Sequence, residues 1–188
     1  MTKNEQIKQT LLETRERRKL QTIKVFELKV NCHHTSKEDF KRFNEYFKQS
    51  KWIINDIIAS NDIFHYNYKD HRKVINFDKD RNLVEREITI QTGVHQNIIS
   101  HVQQDIVNLS KSKKCGNKIG KLKFRSEVNR IPLKTGMLKI KSSKMISIPM
   151  FSKLTVYGLE QFINIPNYEI ANGSFQLLDY DLENVKEV

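Results

Sequence analysis

The sequence has no run of some 18 apolar residues, which excludes a membrane-spanning helix, and no apolar core near its start of the kind a secretory leader carries. An intracellular, bacterial-type cytoplasmic protein is therefore expected. There are only two cysteines in 188 residues, Cys32 and Cys115, too few and too far apart for a disulfide framework; free thiols in a reducing compartment are expected. Cys32, His33, His34 and Cys115 lack the paired short spacings of structural zinc sites, so no metal is expected. No Walker loop and no Gly-x-Gly-x-x-Gly is present, and the six histidines have no nucleophile partner. No repeat or low-complexity tract breaks the chain. Neither a cofactor nor catalysis by this chain alone is expected.

Acids are nearly missing from one stretch. Between residues 111 and 153 lie 13 of the 33 lysines and arginines against a single acid, Glu127, a local net charge of +12. The remaining residues carry 20 bases and 21 acids, so the whole excess of +11 belongs to this segment. Fixed charge this dense repels itself and is compensated most naturally by a polyanion, whose released counterions drive binding. A nucleic-acid backbone is the leading partner.

The pattern within the segment is alternating. In Gly120–Ser126, Leu122 and Phe124 interleave with Lys121, Lys123 and Arg125, so a strand would bury one face and present three cations on the other. Met137–Lys141 repeats the motif with Leu138 and Ile140 against Lys139 and Lys141, and Lys153–Tyr157 gives a third alternation ending at Gly158. Together these predict a curved antiparallel sheet with one cationic surface. A basic edge that guards against aggregation is the alternative, but such an edge needs one or two lysines rather than a dozen.

The length suits one domain or two small interleaved ones. Residues 1–22 read as a charged helical arm with Ile7, Leu11 and Leu12 as its apolar side; Arg15, Arg17, Arg18 and Lys19 could clamp a phosphate or be a solvated helix end. Thr22–Val30 reads as a strand and Asn31–Thr35 as the turn after it. Ser36, with Asp39 three residues on, caps a helix whose apolar stripe runs through Phe40, Phe43, Phe47, Ile54 and Ile57 or Ile58 to Ala59, with Trp52 as part of the core. Residues 60–86 give no clear reading. A second helix is expected over Thr92–Leu109 with Val94, Ile98, Val102 and Ile106 inward. At its start His95, Gln96 and Asn97 can read base edges or serve as ordinary helix punctuation.

The run Lys113–Lys134, of the form Lys-Lys-x-Gly-x-Lys-x-Gly-Lys-Leu-Lys-Phe-Arg-Ser-Glu-Val-Asn-x-Ile-Pro-Leu-Lys, is followed by Lys139-Ile140-Lys141, Ile146–Pro149 and Lys153–Gln161. With the strand Lys24–Val30 and the helix of Thr35–Phe47 before it, this order resembles the N-terminal half of the transposon-encoded TnpB (OrfB-type) proteins and of the compact type V CRISPR effectors, over roughly Ile23–Gln176. The resemblance implies an α+β fold: a wedge domain, a small antiparallel oligonucleotide-binding-like β-barrel over 23–35 and 118–178, with a helical recognition domain inserted at 36–117 and an acidic tail at 179–188.

The resemblance further implies that Lys121, Lys123, Arg125, Ser126, Asn129 and Lys134 lie against nucleic-acid backbone, and that His95, Gln96 and Asn97 approach a short flanking motif in target DNA. Lys113, Lys114, Lys118, Arg130, Lys139, Lys141 and Lys144 complete the candidate contacts. The family continues into a RuvC-like nuclease with three separated acids. Leu178–Leu182, with Asp179 and Asp181, lacks the glycines and partners such a site needs, and a two-metal clamp requires carboxylates converging on the scissile phosphate. The expectation is a recognition lobe that binds guide RNA, guide–target heteroduplex and target DNA without nuclease activity of its own. A separate RuvC-type chain or a homodimer would be its partner. The alternative is a stand-alone single-stranded nucleic-acid chaperone.

Overall fold

Thr2 Oγ1 accepts the N–H of Glu5 while the Glu5 carboxylate accepts that of Thr2 at 2.7 Å, a reciprocal cap. It opens helix α1 (Lys3–Lys19), which ends on Arg17, Arg18 and Lys19, where cations suit the free carbonyls. This computed structural model describes residues 2–176 apart from 61, 79, 121 and 172; the acidic tail, with Asp179 and Asp181, and Lys121 lie outside the described residues. No residue of α1 is buried, and Ile7, Leu11 and Leu12 each remain more than half exposed.

The strand expected over Thr22–Val30 is reduced to β1 (Lys29–Val30), paired antiparallel to Tyr157 and Val156. The partner strand explains this. Just past Tyr157, Gly158 turns away at φ 98°, so residues before Lys29 have no edge to join. Their alternation survives without the ladder: Phe26, Leu28 and Val30 pack on the core while Ile23 and Val25 stay 88% and 94% exposed.

Helix α2 (Lys37–Ala59) follows the expected cap. Ser36 Oγ accepts the Asp39 N–H at 3.1 Å and donates its own proton to the Asp39 carboxylate at 2.8 Å. Its buried stripe holds Phe43, Phe47, Ile53 and Ile57 together with Gln49 and Ser50. The unread stretch contains a hairpin, β2 (Lys73–Phe77) with β3 (Leu83–Glu87). Its turn is fixed by the Asp78 carboxylate, which accepts the N–H groups of Asp80 and Asn82 at 2.8 Å, with Arg81 at φ 64°.

Helix α3 (Thr92–Lys114) runs five residues beyond Leu109. Val94 and Ile98 are buried, Val102 half-buried, and from Asn108 on every residue of the helix but Ser112 is exposed, so the helix leaves the body as it proceeds. The expected strand Gly120–Ser126 is not formed among the described residues: 117–120 and 122–129 have no regular secondary structure and no strand beside them, and Leu122 and Phe124 are 46% and 66% exposed rather than buried.

Five more strands follow among the described residues: β4 (Arg130–Leu133), β5 (Lys139–Ser142), β6 (Met145–Ile148), β7 (Phe151–Tyr157) and β8 (Gly173–Gln176). The order β1-β7-β6-β5 makes one antiparallel sheet, while β4 pairs only with β8. The architecture is thus α+β, three helices with antiparallel sheets, but among the described residues the sheets do not close into the expected barrel. Closure would require β4 or β8 to hydrogen-bond to β5 or β1, and neither does.

One core serves helices and strands alike. The Phe43 ring lies 3.9 Å from that of Phe151 on β7 and stacks at 4.8 Å on that of Phe175 on β8, and Ile131 and Leu133 of β4 are buried in the same cluster. Burying such side chains contributes roughly 1.5–3 kcal/mol each, so α2, α3 and the sheets stabilise one another. The segment 36–117 carries the hairpin as well as two helices.

Candidate nucleic-acid interface

All twelve described lysines and arginines of 111–153 are exposed, and among the described residues none lies within 4.0 Å of a carboxylate. The ion pairs that do form sit elsewhere, such as Lys73–Glu85 on the hairpin at 2.8 Å and Lys19–Glu16 on α1 at 2.7 Å. The segment's charge is therefore uncompensated within the described part of the protein.

These cations fall into three groups rather than one plane. Lys111, Lys113 and Lys114 occupy the last turn of α3, with Lys118 just beyond. Lys123 and Arg125 belong to the irregular connection between α3 and β4, where Ser126 and Asn129 are also exposed, and Arg130 begins β4. The connection is pinned to α2: Arg125 N–H donates to Asn55 Oδ1 at 2.7 Å and Asn55 Nδ2 donates back to the Arg125 carbonyl at 3.0 Å.

The third group lies on the outer face of the four-stranded sheet. Register places Lys139 opposite Ser147, Met145 opposite Thr155, and Lys29 opposite Tyr157, all on one face. Ile140, Ile146, Leu154 and Val156 point the other way, into the core. A register shift puts both Ser152 and Lys153 outside, the signature of a bulge. Lys141 shares this outward face, Lys144 sits in the β5–β6 turn, and Lys134 opens the turn closed by Met137 N–H to its carbonyl at 3.0 Å, with Gly136 at φ 83°. The four strands carry no acid.

Sequence reasoning missed two members of this face. Lys29 and Tyr157 are cross-strand neighbours, and the Tyr157 hydroxyl accepts from Asn31 Nδ2 at 2.6 Å, which fixes a ring that is 58% exposed. The signal was available, since Lys29 and Tyr157 each occupy the outward phase of an alternating run.

Two of the three residues expected at the start of α3 are corrected by their burial. His95 is fully buried and Asn97 nearly so, its Nδ2 donating to the Pro132 carbonyl at 2.7 Å; only Gln96 is exposed. A base edge cannot reach either buried side chain. The helix period explains it: His95, Ile98, Ile99 and Val102 recur at i, i+3, i+4 and i+7, a single inward face.

His95 faces a polar nest built by neighbouring elements. The carboxylate of Asp56 accepts from the Tyr66 hydroxyl at 2.6 Å and contacts His71 Nδ1 at 3.0 Å, and the Tyr66 and His71 rings stack at 3.7 Å. Arg72 donates to Thr92 Oγ1 at 2.6 Å, and Tyr68 meets the His95 ring edge-on. Burial raises the Tyr66 pKa, and its bond to Asp56 raises it further. Burial lowers that of His95 to about 4, helped by the positive charge of Arg72 and His71 and opposed by Asp56. Both ring nitrogens of His95 lack a hydrogen-bond partner. Trp52, read as core, is half-buried with the Arg86 guanidinium 4.8 Å over its ring. No group of three or more His, Cys, Asp or Glu side chains that could hold a metal converges among the described residues, and no described helix is long and apolar enough to cross a membrane.

Comparison with protein-family models and with curated proteins finds no match to this chain.

Proposed function

We propose that this chain is a nucleic-acid-binding recognition lobe of an RNA-guided DNA-targeting system, holding guide RNA and the guide–target heteroduplex and meeting a short flanking motif in target DNA. The observation that carries the reading is the set of twelve exposed cations of 111–153 without a carboxylate partner. Lysines and arginines held at the surface and left unpaired gain most from phosphates, which displace condensed counterions. In this reading base pairing supplies sequence and the protein supplies backbone contacts. The β1-β7-β6-β5 sheet would serve as the wedge and the 36–117 segment as the inserted recognition part. Of the three residues expected to meet the flanking motif, Gln96 alone remains a candidate. The lobe would act in the cytoplasm without cleaving, beside a RuvC-type nuclease chain or a second copy of itself.

A second reading, a stand-alone single-stranded nucleic-acid chaperone, is favoured by Tyr157 among Lys29, Lys139, Lys141 and Lys153, since exposed aromatics between cations bind strands with little sequence preference. Sequencing the RNA that co-purifies with the native protein separates the two: one species of defined length and fold supports the guide reading, and short RNA of mixed sequence supports the chaperone. Reversing Lys118, Lys123 and Arg125 together to Glu should abolish RNA binding and leave the melting temperature nearly unchanged. Undiminished binding by that variant would remove this surface as the contact.

A further inference from the structure

Phe124 was expected to face the core and instead stands two-thirds exposed, between Lys123 and Arg125. Exposing an aromatic ring in water forfeits the stabilisation its burial would give. Its backbone is nonetheless not free, because the next residue is clamped to α2 by the pair of hydrogen bonds with Asn55. One turn before Asn55, on the same stripe of α2, stands Lys51. The sequence around it is strongly cationic: from Lys113 to Arg130 it holds seven cations and one acid, Glu127.

A ring on a pinned backbone, open to solvent and flanked by cations, is suited to a planar π-system joined to negative charge. We propose that Phe124 is a stacking platform for an unpaired nucleobase, with Lys123, Arg125 and Lys51 taking the adjoining phosphates. This deepens the nucleic-acid reading above and rests on it, by assigning the connection 117–129 to a single-stranded segment rather than to duplex. Duplex offers its phosphates but keeps its base faces stacked internally, so it can use the cations and not the ring. The π-face is common to RNA and DNA, and the ring by itself does not choose between them.

The test uses the full chain with single-stranded RNA and single-stranded DNA of one sequence, each carrying 2-aminopurine at every third position, and a blunt RNA duplex as control. For the wild type, fluorescence is quenched in at least one single strand, and the two arms identify which. Phe124→Ala loses about tenfold in affinity for that strand together with the quenching. Its salt dependence is unchanged, since no charge is removed, and its duplex binding is retained. Phe124→Trp restores both affinity and quenching. Equal binding and quenching by Phe124→Ala overturns the proposal. So does an equal loss for strand and duplex, which means the connection has merely lost its shape, and so does quenching in neither strand, the result for a connection that instead lies along an acidic protein strand. Wild-type protein that binds duplex but no single strand sinks this inference alone; wild-type protein that binds no nucleic acid sinks the underlying reading with it.

Discussion

Gln49, on the buried side of α2, holds the backbone of Ile90 in place: its Oε1 accepts the Ile90 N–H at 3.0 Å and the Thr89 N–H at 2.8 Å, while its Nε2 donates to Thr89 Oγ1 at 2.8 Å. The chain between β3 and α3 has no strand beside it there, and one amide side chain supplies what a strand would. Gln49→Leu keeps the volume and leaves the buried N–H of Ile90 without an acceptor. Such a group costs about 1–3 kcal/mol. Urea unfolding should show a loss of this size with an unchanged m-value.

Stability should fall on mild acidification. The His95 pKa is lowered to about 4 in the folded protein from an ordinary 6.5. Between these values the unfolded chain binds a proton that the folded one refuses, so this contribution is complete above pH 6.5 and is lost as pH drops through 4. The span corresponds to about 3 kcal/mol. Denaturation midpoints measured from pH 7 to 4 should decline for the wild type and flatten for His95→Leu, which removes the titrating group.

Two glycines with left-handed backbones should respond differently to alanine. Gly136 has φ 83° and open space around a new Cβ; Gly158 has φ 98°, and a Cβ there would sit 2.8 Å from the Glu27 carbonyl oxygen and from Gln161 Nε2. Backbone strain alone costs about 1–2 kcal/mol. Gly136→Ala should lose that much, and Gly158→Ala more, because the Glu27 carbonyl is main chain and must move. Comparable melting temperatures for the two variants would contradict the close approach.

Replacing Lys139, Lys141 and Lys153 together by Gln tests the sheet face by its salt response. If each meets a phosphate of a single strand, the slope of log affinity against log salt should shrink by about 2. Thermal stability should barely move, since these side chains are exposed and unpaired.

The sequence disclosed most where a local signal and the core agree. The Ser36–Asp39 cap and the stripe through Phe43, Phe47 and Ile57 fix α2 from within their own window. So do the outward lysines of β5, because Ile140 beside them has Ile146 to pack against. It misled where alternation was taken to be enough. Leu122 and Phe124 alternate as a strand does, but a strand requires a neighbour, and no local pattern reports that 117–129 has none. The hairpin of Lys73–Glu87 escaped for the opposite reason: its turn uses the Asp78 carboxylate and a left-handed Arg81 instead of an Asn-Gly or Asp-Gly pair. His95 and Asn97 were read by their position at a helix start, although their spacing to Ile98, Ile99 and Val102 marks the inward side.

The 23 residues of α3 give it a length of about 34 Å. Its first turn is seated against Met137, where a Cβ on Gly93 would approach the methionine methyl to 3.1 Å, and its last carries Lys111, Lys113 and Lys114. The helix is thus a ruler set between the lysines beside Met137 and the cationic knot at its far end. At about 3.4 Å per base pair, a duplex that touched both ends would have to extend for roughly ten pairs, so on the proposed nucleic-acid reading oligonucleotides shorter than one helical turn are expected not to bridge them.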